Sequence, residues 1–101
     1  MDKNLLKSVT LHATSAVTLG TSGAGKSRLH RLVLRKNGTA VTATVTGFAD
    51  EDNTARTRTY TGSTTADVVI DFGVLGELAD KGALTVQASI ADLVDVTWSA
   101  Q

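Results

Sequence analysis

Apolar and polar side chains alternate with a period of two along most of the chain, and this alternation restricts the fold more than any other feature. It is clearest over residues 39–47, where Val41, Ala43 and Val45 share one face and threonines occupy the other. A period of two places successive side chains on opposite faces of a β-strand, whereas an amphipathic helix repeats about every 3.6 residues. The pattern therefore predicts strands with one face on a core.

Such segments recur at intervals of roughly ten residues, and turn residues separate them. The predicted strands are 6–19 (with a bend at 13–16 that could divide it in two), 29–36, 39–47, 56–61, 67–72, 84–90 and 93–98. Residues 73–82 are assigned to a loop, in which 75–79 could form one helical turn. Seven to eight short antiparallel strands with almost no helix predict an all-β fold, a single β-sandwich or jelly-roll-like domain.

Two features predict how individual strands are placed. The Asn37-Gly38 dipeptide predicts a β-hairpin between the strands on either side of it, because both residues tolerate the positive φ of a two-residue turn. In the next strand, Arg56, Arg58 and Tyr60 alternate with threonines, so neither face is strongly apolar. We expect an edge strand there, since charged side chains on an edge discourage unwanted strand pairing.

The composition restricts the function as well. The 101 residues include 16 threonines, no cysteine and no proline, and ten basic residues balance ten acidic ones. Without cysteine the chain forms no disulfide, zinc–thiolate site or thiol nucleophile. Zero net charge argues against nucleic-acid binding, since phosphate contacts need a basic excess. No apolar run reaches the roughly 18 residues that span a bilayer, so we expect no membrane partner. One domain over 1–101, with a flexible arm at 1–4, is the expected organisation.

One motif suggests nucleotide chemistry. Gly20, Gly25, Lys26 and Ser27 match every fixed position of the phosphate-loop pattern G-x-x-x-x-G-K-[ST]. In such a loop the backbone N–H groups wrap the phosphates, the lysine reaches the terminal phosphates and the serine holds magnesium. The loop must feed a helix, whose N-terminus binds the anion, whereas here a strand follows. We therefore predict a glycine- and serine-rich loop before a basic strand, and no cofactor.

The other candidate sites are weaker. His12 and His30 are the only histidines, and two histidines need a third ligand to hold a metal. The acidic segment 50–53 lacks the later glycine and glutamate of a calcium loop. The G-x-S-x-G context of a nucleophilic serine is missing. We therefore expect no catalytic, cofactor-binding or metal-binding residues and no enzymatic activity.

Basic and acidic side chains are segregated along the sequence. The basic group consists of Arg28, Arg31, Arg35, Lys36, Arg56 and Arg58, and the acidic residues lie mainly at 50–52 and 67–95. Either these charges contact a neighbouring copy or an acidic partner, or cross-strand ion pairs use them within one copy. Trp98 is likewise either a core residue or a partner anchor. The candidate partner-binding residues are Arg28, Arg31, Arg56, Arg58, Tyr60 and Trp98.

Four features point to a known type of protein: strands rich in threonine and glycine, a Thr/Val hairpin around Asn37-Gly38, the turn from Tyr60 to Thr65 before an apolar strand, and the terminal Val-Thr-Trp98 strand. Together they resemble the small all-β structural proteins of tailed-bacteriophage virions, which include capsid decoration proteins and head or tail accessories. The resemblance implies a small sandwich or jelly roll, often trimeric or otherwise multimeric, that clamps a capsid lattice. No residue role carries over, because the type has no shared site motif.

We therefore expect a non-enzymatic virion structural protein made in the host cytoplasm, of the capsid decoration (cement) type. Its expected partners are the major capsid protein or another virion protein, together with further copies of itself in a trimer. Many weak contacts repeated by symmetry suffice for a cement. A head-closure or tail accessory protein is one alternative, and a β-sandwich module that binds carbohydrate or protein is another.

Overall fold

The computed structural model of the protein contains nine β-strands within its described residues, which are 6–19, 27–49, 55–79, 81 and 83–100. The strands are β1 (Lys7–Thr10), β2 (Val17–Leu19), β3 (Ser27–Leu34), β4 (Thr42–Ala49), β5 (Ala55–Thr61), β6 (Val68–Asp71), β7 (Glu77–Ala79), β8 (Leu84–Ala88) and β9 (Val94–Ala100). The predicted arm at 1–4, the glycine-rich loop at 20–26 and the acidic segment at 50–53 lie outside the described residues. Within the described part of the chain, no helix is long and apolar enough to cross a membrane.

The strands form two sheets in which every described pair is antiparallel. Sheet A has the order β1-β9-β3-β6, and β7 also pairs with β3. Sheet B has the order β2-β8-β4-β5. On one side of β3, β7 pairs with its first half and β6 with its second half, while β9 runs along the other side. This arrangement confirms the predicted all-β, sandwich-type fold.

One apolar core lies between the sheets, and both contribute alternate side chains to it. Its fully buried members include Leu29, Leu32, Leu34, Val94 and Val96 from sheet A, and Ala43, Val45, Phe48, Leu84 and Val86 from sheet B. Val41 is also fully buried, just before β4. The prediction that Val41, Ala43 and Val45 face the core is therefore confirmed. The threonines between them are half-buried on the other face. Threonine is suited to that position, since a β-branched side chain fits a half-exposed sheet.

The predicted hairpin at Asn37-Gly38 is wrong. The strands on either side, β3 and β4, lie in different sheets, so their connection is a crossover. After β3 ends, the N–H of Lys36 donates to the Asp67 carboxylate at 2.8 Å, which holds the chain beside sheet A. Neither Asn37 nor Gly38 has a positive φ. The turn that would return the chain alongside β3 is therefore not formed.

The predicted helical turn at 75–79 is also wrong, because Glu77–Ala79 is strand β7. It pairs with the first residues of β3, and Ala79 is buried in the core. This short strand raises the number from the seven or eight predicted to nine in the described residues. Two finer predictions are confirmed. The bend at 13–16 separates β1 from β2, and β5 is an edge strand of sheet B.

Candidate interaction surface

The surface is built around an irregularity in β3. The register of β3 against β9 shifts between Leu29 and Arg31, so His30 is an extra residue without its own partner in β9. A β-bulge of this kind re-aims the side chains around it. Leu29 and Leu32 are consequently both buried although they are three positions apart. The His30 ring reaches β9, where its Nε2 hydrogen-bonds the Ser99 Oγ at 2.9 Å.

A four-residue loop that begins at Gly73 and ends at Gly76, here called the apolar loop, packs on the His30 ring. A Cβ atom at Gly76 would lie 2.9 Å from the ring's Cε1, so the backbone itself contacts the imidazole. The N–H of Phe72 donates to the His30 carbonyl at 2.9 Å, and the N–H of Gly73 donates to Asp71 Oδ1 at 2.9 Å. Gly73 and Gly76 have φ values of 92° and 74°, which glycine adopts at little cost. The loop is therefore firmly attached to sheet A.

The apolar loop carries two large aliphatic side chains into solvent. Val74 is 92% exposed and Leu75 is 79% exposed. Leu6, which is 60% exposed, lies with Val74 along a groove of about 530 Å³ on the outer face of sheet A. Neighbouring exposed aliphatic side chains of this size mark interaction sites more often than ordinary surface. The loop and the groove together form the candidate interaction surface.

The floor of the groove is polar. Thr97 of β9, His30 and Arg31 of β3, and Asp71 of β6 line it. Arg31 and Asp71 are register partners on adjacent strands, with Nη2 3.6 Å from Oδ2. Their side chains are 54% and 60% exposed. An ion pair this long and this exposed stabilises the fold very little. Both charges can therefore contact a partner that enters the groove.

The contact between His30 and Ser99 has the atom types of a hydrolytic serine–histidine pair, but its surroundings differ. Ser99 is only 2% exposed, and a nucleophile must reach its substrate. We therefore assign the pair to supporting the apolar loop. The other histidine, His12, lies 2.6 Å from Asp92 in a separate and exposed pair. Within the described residues, no group of three His, Asp or Glu side chains could hold a metal ion.

The last residue of the phosphate-loop motif is described, and it begins a strand rather than a helix. Ser27 is the first residue of β3, and its side chain is 2% exposed. Its hydroxyl donates to the Leu19 carbonyl at 3.0 Å, which links the end of β2 to the start of β3. The strand that follows confirms the context argued from sequence, since a phosphate loop requires a helix at this point.

Two of the predicted partner-binding residues connect the two sheets. Arg58 on β5 places Nη2 2.6 Å from Glu77 Oε2 on β7, and its guanidinium lies 4.5 Å from the Phe48 ring centroid. The hydrogen bond that Arg58 donates to the Glu77 carboxylate raises the pKa of Arg58 above its ordinary value. Tyr60 packs edge-to-face on Phe72 with ring centroids 5.8 Å apart. These contacts lie where the β5 edge of sheet B approaches β6 and β7 of sheet A.

The other predicted residues are dispersed over the molecule. Arg28 is half-buried on β3, and Arg56 is exposed on β5. Trp98 packs against the core, and the Lys7 ammonium lies 5.1 Å from its ring centroid. Trp98 is therefore partly buried at the edge of the core. Of the six predicted residues, Arg31 alone lines the groove.

Ion pairs within the chain account for three of the segregated arginines. Arg31 and Arg58 have the partners already given, and Arg35 lies 2.7 Å from Asp95 on β9. Each pair joins residues that are distant in sequence and adjacent in the fold. Of the two explanations for the charge segregation, cross-strand pairing within one copy therefore applies to these three residues.

The ion pair between Arg58 and Glu77 should stabilise the fold more than the ion pair between Arg31 and Asp71. We expect a coupling free energy of about 1 kcal/mol, because the pair is short and partly buried. A double-mutant cycle of Arg58→Ala and Glu77→Ala, measured by urea unfolding, gives this value. The matched cycle of Arg31→Ala and Asp71→Ala should give nearly zero. Equal couplings in the two cycles would contradict a cross-sheet role for Arg58.

Sequence reasoning missed most of the residues that form the surface, among them Leu6, His30, Val74 and Leu75. A local signal for two of them was present, since Val74 and Leu75 are large aliphatic residues bracketed by glycines in a segment assigned to a loop. Periodicity identifies residues that share a face of a strand or helix, and a four-residue loop has no such face. The position of His30 depends on a bulge, which becomes visible only when the register with β9 is known.

A scan against models of known protein families and a search of curated protein sequences find no match to the chain. What the fold and the surface define together is a class of molecule: an all-β sandwich with an apolar loop and a groove on one sheet face. The resemblance to bacteriophage virion proteins stays a prediction.

Proposed function

We propose that the protein is a non-enzymatic virion structural protein that decorates the capsid and stabilises the head shell through protein–protein contacts. The observation that supports this most directly is the apolar loop, which holds Val74 and Leu75 in solvent on hydrogen-bonded supports. Full burial of one such side chain is worth about 1.5–3 kcal/mol. A covered loop is therefore considerably more stable than an exposed one, and a protein surface is a suitable cover.

The decoration role in particular is supported by the fold and by the charge. A cement protein must add buried area between shell subunits, and repeated weak contacts give a stable assembly without high affinity at any single site. A compact sandwich provides such a rigid unit. The zero net charge removes the long-range repulsion that would keep neighbouring copies apart on a lattice. The all-β sandwich is also the architecture that the virion resemblance implies.

The proposal can be tested on virus particles purified from cells that encode the chain. We expect quantitative mass spectrometry of gradient-purified particles to find the chain with the heads, in a fixed ratio to the main shell protein. Removing the chain should lower the temperature at which heads open, and adding back purified protein should restore it. Recovery with tails or connectors alone would favour the head-closure or tail accessory alternative. Absence of the chain from every particle fraction would overturn a virion role.

No structural observation favours the carbohydrate-binding alternative. A glycan platform needs exposed aromatic rings, and the chain has four aromatic residues. Phe48 is fully buried, and Tyr60, Phe72 and Trp98 are partly buried against the core. The surface that the structure does offer is aliphatic and carries paired charges of both signs. Such a surface suits a protein partner better than a sugar.

A further inference from the structure

The apolar loop and the groove are neighbours on one face of sheet A. Val74 belongs to both, because it projects into solvent and also lines the groove. The groove, at about 530 Å³, is large enough to accept the two aliphatic side chains of such a loop. The loop of the same copy cannot fill it, because its ends are hydrogen-bonded at the groove's edge. The same loop on another molecule has no such restraint.

The charges of the surface favour a second copy of this chain as that molecule. The groove presents one basic and one acidic side chain, Arg31 and Asp71, which are loosely paired and exposed. A uniformly acidic or basic partner would be attracted by one of them and repelled by the other. When two identical surfaces face each other across a two-fold axis that passes between Arg31 and Asp71, each arginine faces the other copy's aspartate. Electrostatic complementarity of this kind fixes the register of an interface.

The position of the loop selects the symmetry. In a two-fold pair the same patch is used by both molecules, so each contact occurs twice. The loop and the groove lie side by side on one face, so a two-fold rotation that places one loop in the partner's groove places the partner's loop in the first groove. A head-to-tail ring would instead require the loop and the groove to lie on different sides of the molecule.

We infer that two copies of the chain pair through the outer face of sheet A about a two-fold axis. Leu75 of each copy enters the groove of the other, and Arg31 of each faces Asp71 of the other. The inference goes beyond the proposed function and takes from it only that the cover of the apolar loop is a protein. The two copies cover each other's loops, so the pair contacts the shell through its other faces. The inference replaces the trimer expected from the resemblance with a dimer.

The solution mass of the purified full chain is the first test. Light scattering over a range from low to high micromolar concentration should show a monomer passing into a dimer. The Leu75→Asp variant should weaken this association by about 30-fold or more, as for a side chain at the centre of an interface. The matched control is Thr59→Asp, at an exposed position on the β5 edge of sheet B, and it should leave the association unchanged.

Cross-linking tests the geometry directly, because the natural chain has no cysteine. A mixture of a Leu75→Cys variant and an isotope-labelled Thr97→Cys variant should form mixed disulfide dimers under mild oxidation. Leu75→Cys mixed with Thr59→Cys should form far fewer. Circular dichroism confirms that each variant is folded, and Leu75 is exposed enough to tolerate the change.

Three outcomes would overturn the inference: a monomer at every concentration, a discrete trimer, or equal cross-linking to positions 59 and 97. All three are measured on the isolated protein, so none depends on a virus particle. A monomer that is nevertheless found on heads would leave the proposed function standing and remove the dimer. A dimer that is absent from every particle would do the reverse.

Discussion

Replacing Phe48 with alanine is expected to lower the free energy of unfolding by about 3–5 kcal/mol. Phe48 is the largest fully buried side chain and lies on β4, a central strand of sheet B. Its removal leaves a cavity and also takes away the ring against which the Arg58 guanidinium packs. Small domains are stable by only about 5–15 kcal/mol, so the variant should retain little of its stability.

Urea unfolding followed by Trp98 fluorescence measures the effect of Phe48→Ala, with circular dichroism as a second probe. The matched control is Phe72→Ala, which removes the chain's other phenylalanine from a partly buried position against Tyr60. We expect the control to lose less than half as much stability, because less apolar area leaves contact with the core. Similar losses at the two positions would contradict a single core centred between the sheets.

The period-two pattern was sufficient to predict the class of fold and the direction of the side chains in β4. It could not predict which strands pair. Alternation states which side of a strand is apolar, and both sheets of a sandwich present an apolar side to the same core. The segments before and after Asn37-Gly38 therefore looked like one hairpin, although they belong to opposite sheets. Strand pairing depends on which connections cross from one sheet to the other, and the local sequence pattern does not show this.

Of the residues on the interaction surface, the sequence predicted only Arg31, because the surface also depends on how the strands pair. Leu29 and Leu32 face the core although their spacing breaks the period of two. The structure explains this spacing by the bulge at His30. The bulge places the His30 ring under Gly76 and so supports the apolar loop. This is a long-range effect, since the residues involved come from β3, β9 and the loop after β6.

Replacing Gly47 with alanine should lower the free energy of unfolding by about 2–4 kcal/mol, through two separate effects. Gly47 has a φ of 115°, which side chains of L-residues rarely adopt. A Cβ atom there would also lie 2.9 Å from the Ala83 carbonyl oxygen and 3.2 Å from the Leu84 Cα. Both of these are backbone atoms of the β8 side of sheet B, so neither can move aside without disturbing strand pairing.

The matched control is Gly38→Ala, and it should have the opposite sign. Gly38 has no positive φ, and a Cβ atom built there meets nothing within 4 Å. Alanine at position 38 should therefore act only by reducing the conformational entropy of the unfolded chain. This should stabilise the folded protein by about 0.4–1 kcal/mol. Thermal and urea unfolding of both variants measure the difference. If Gly38→Ala destabilised the protein as much as Gly47→Ala, the residue would need the positive φ of a hairpin turn, and the crossover between β3 and β4 would be contradicted.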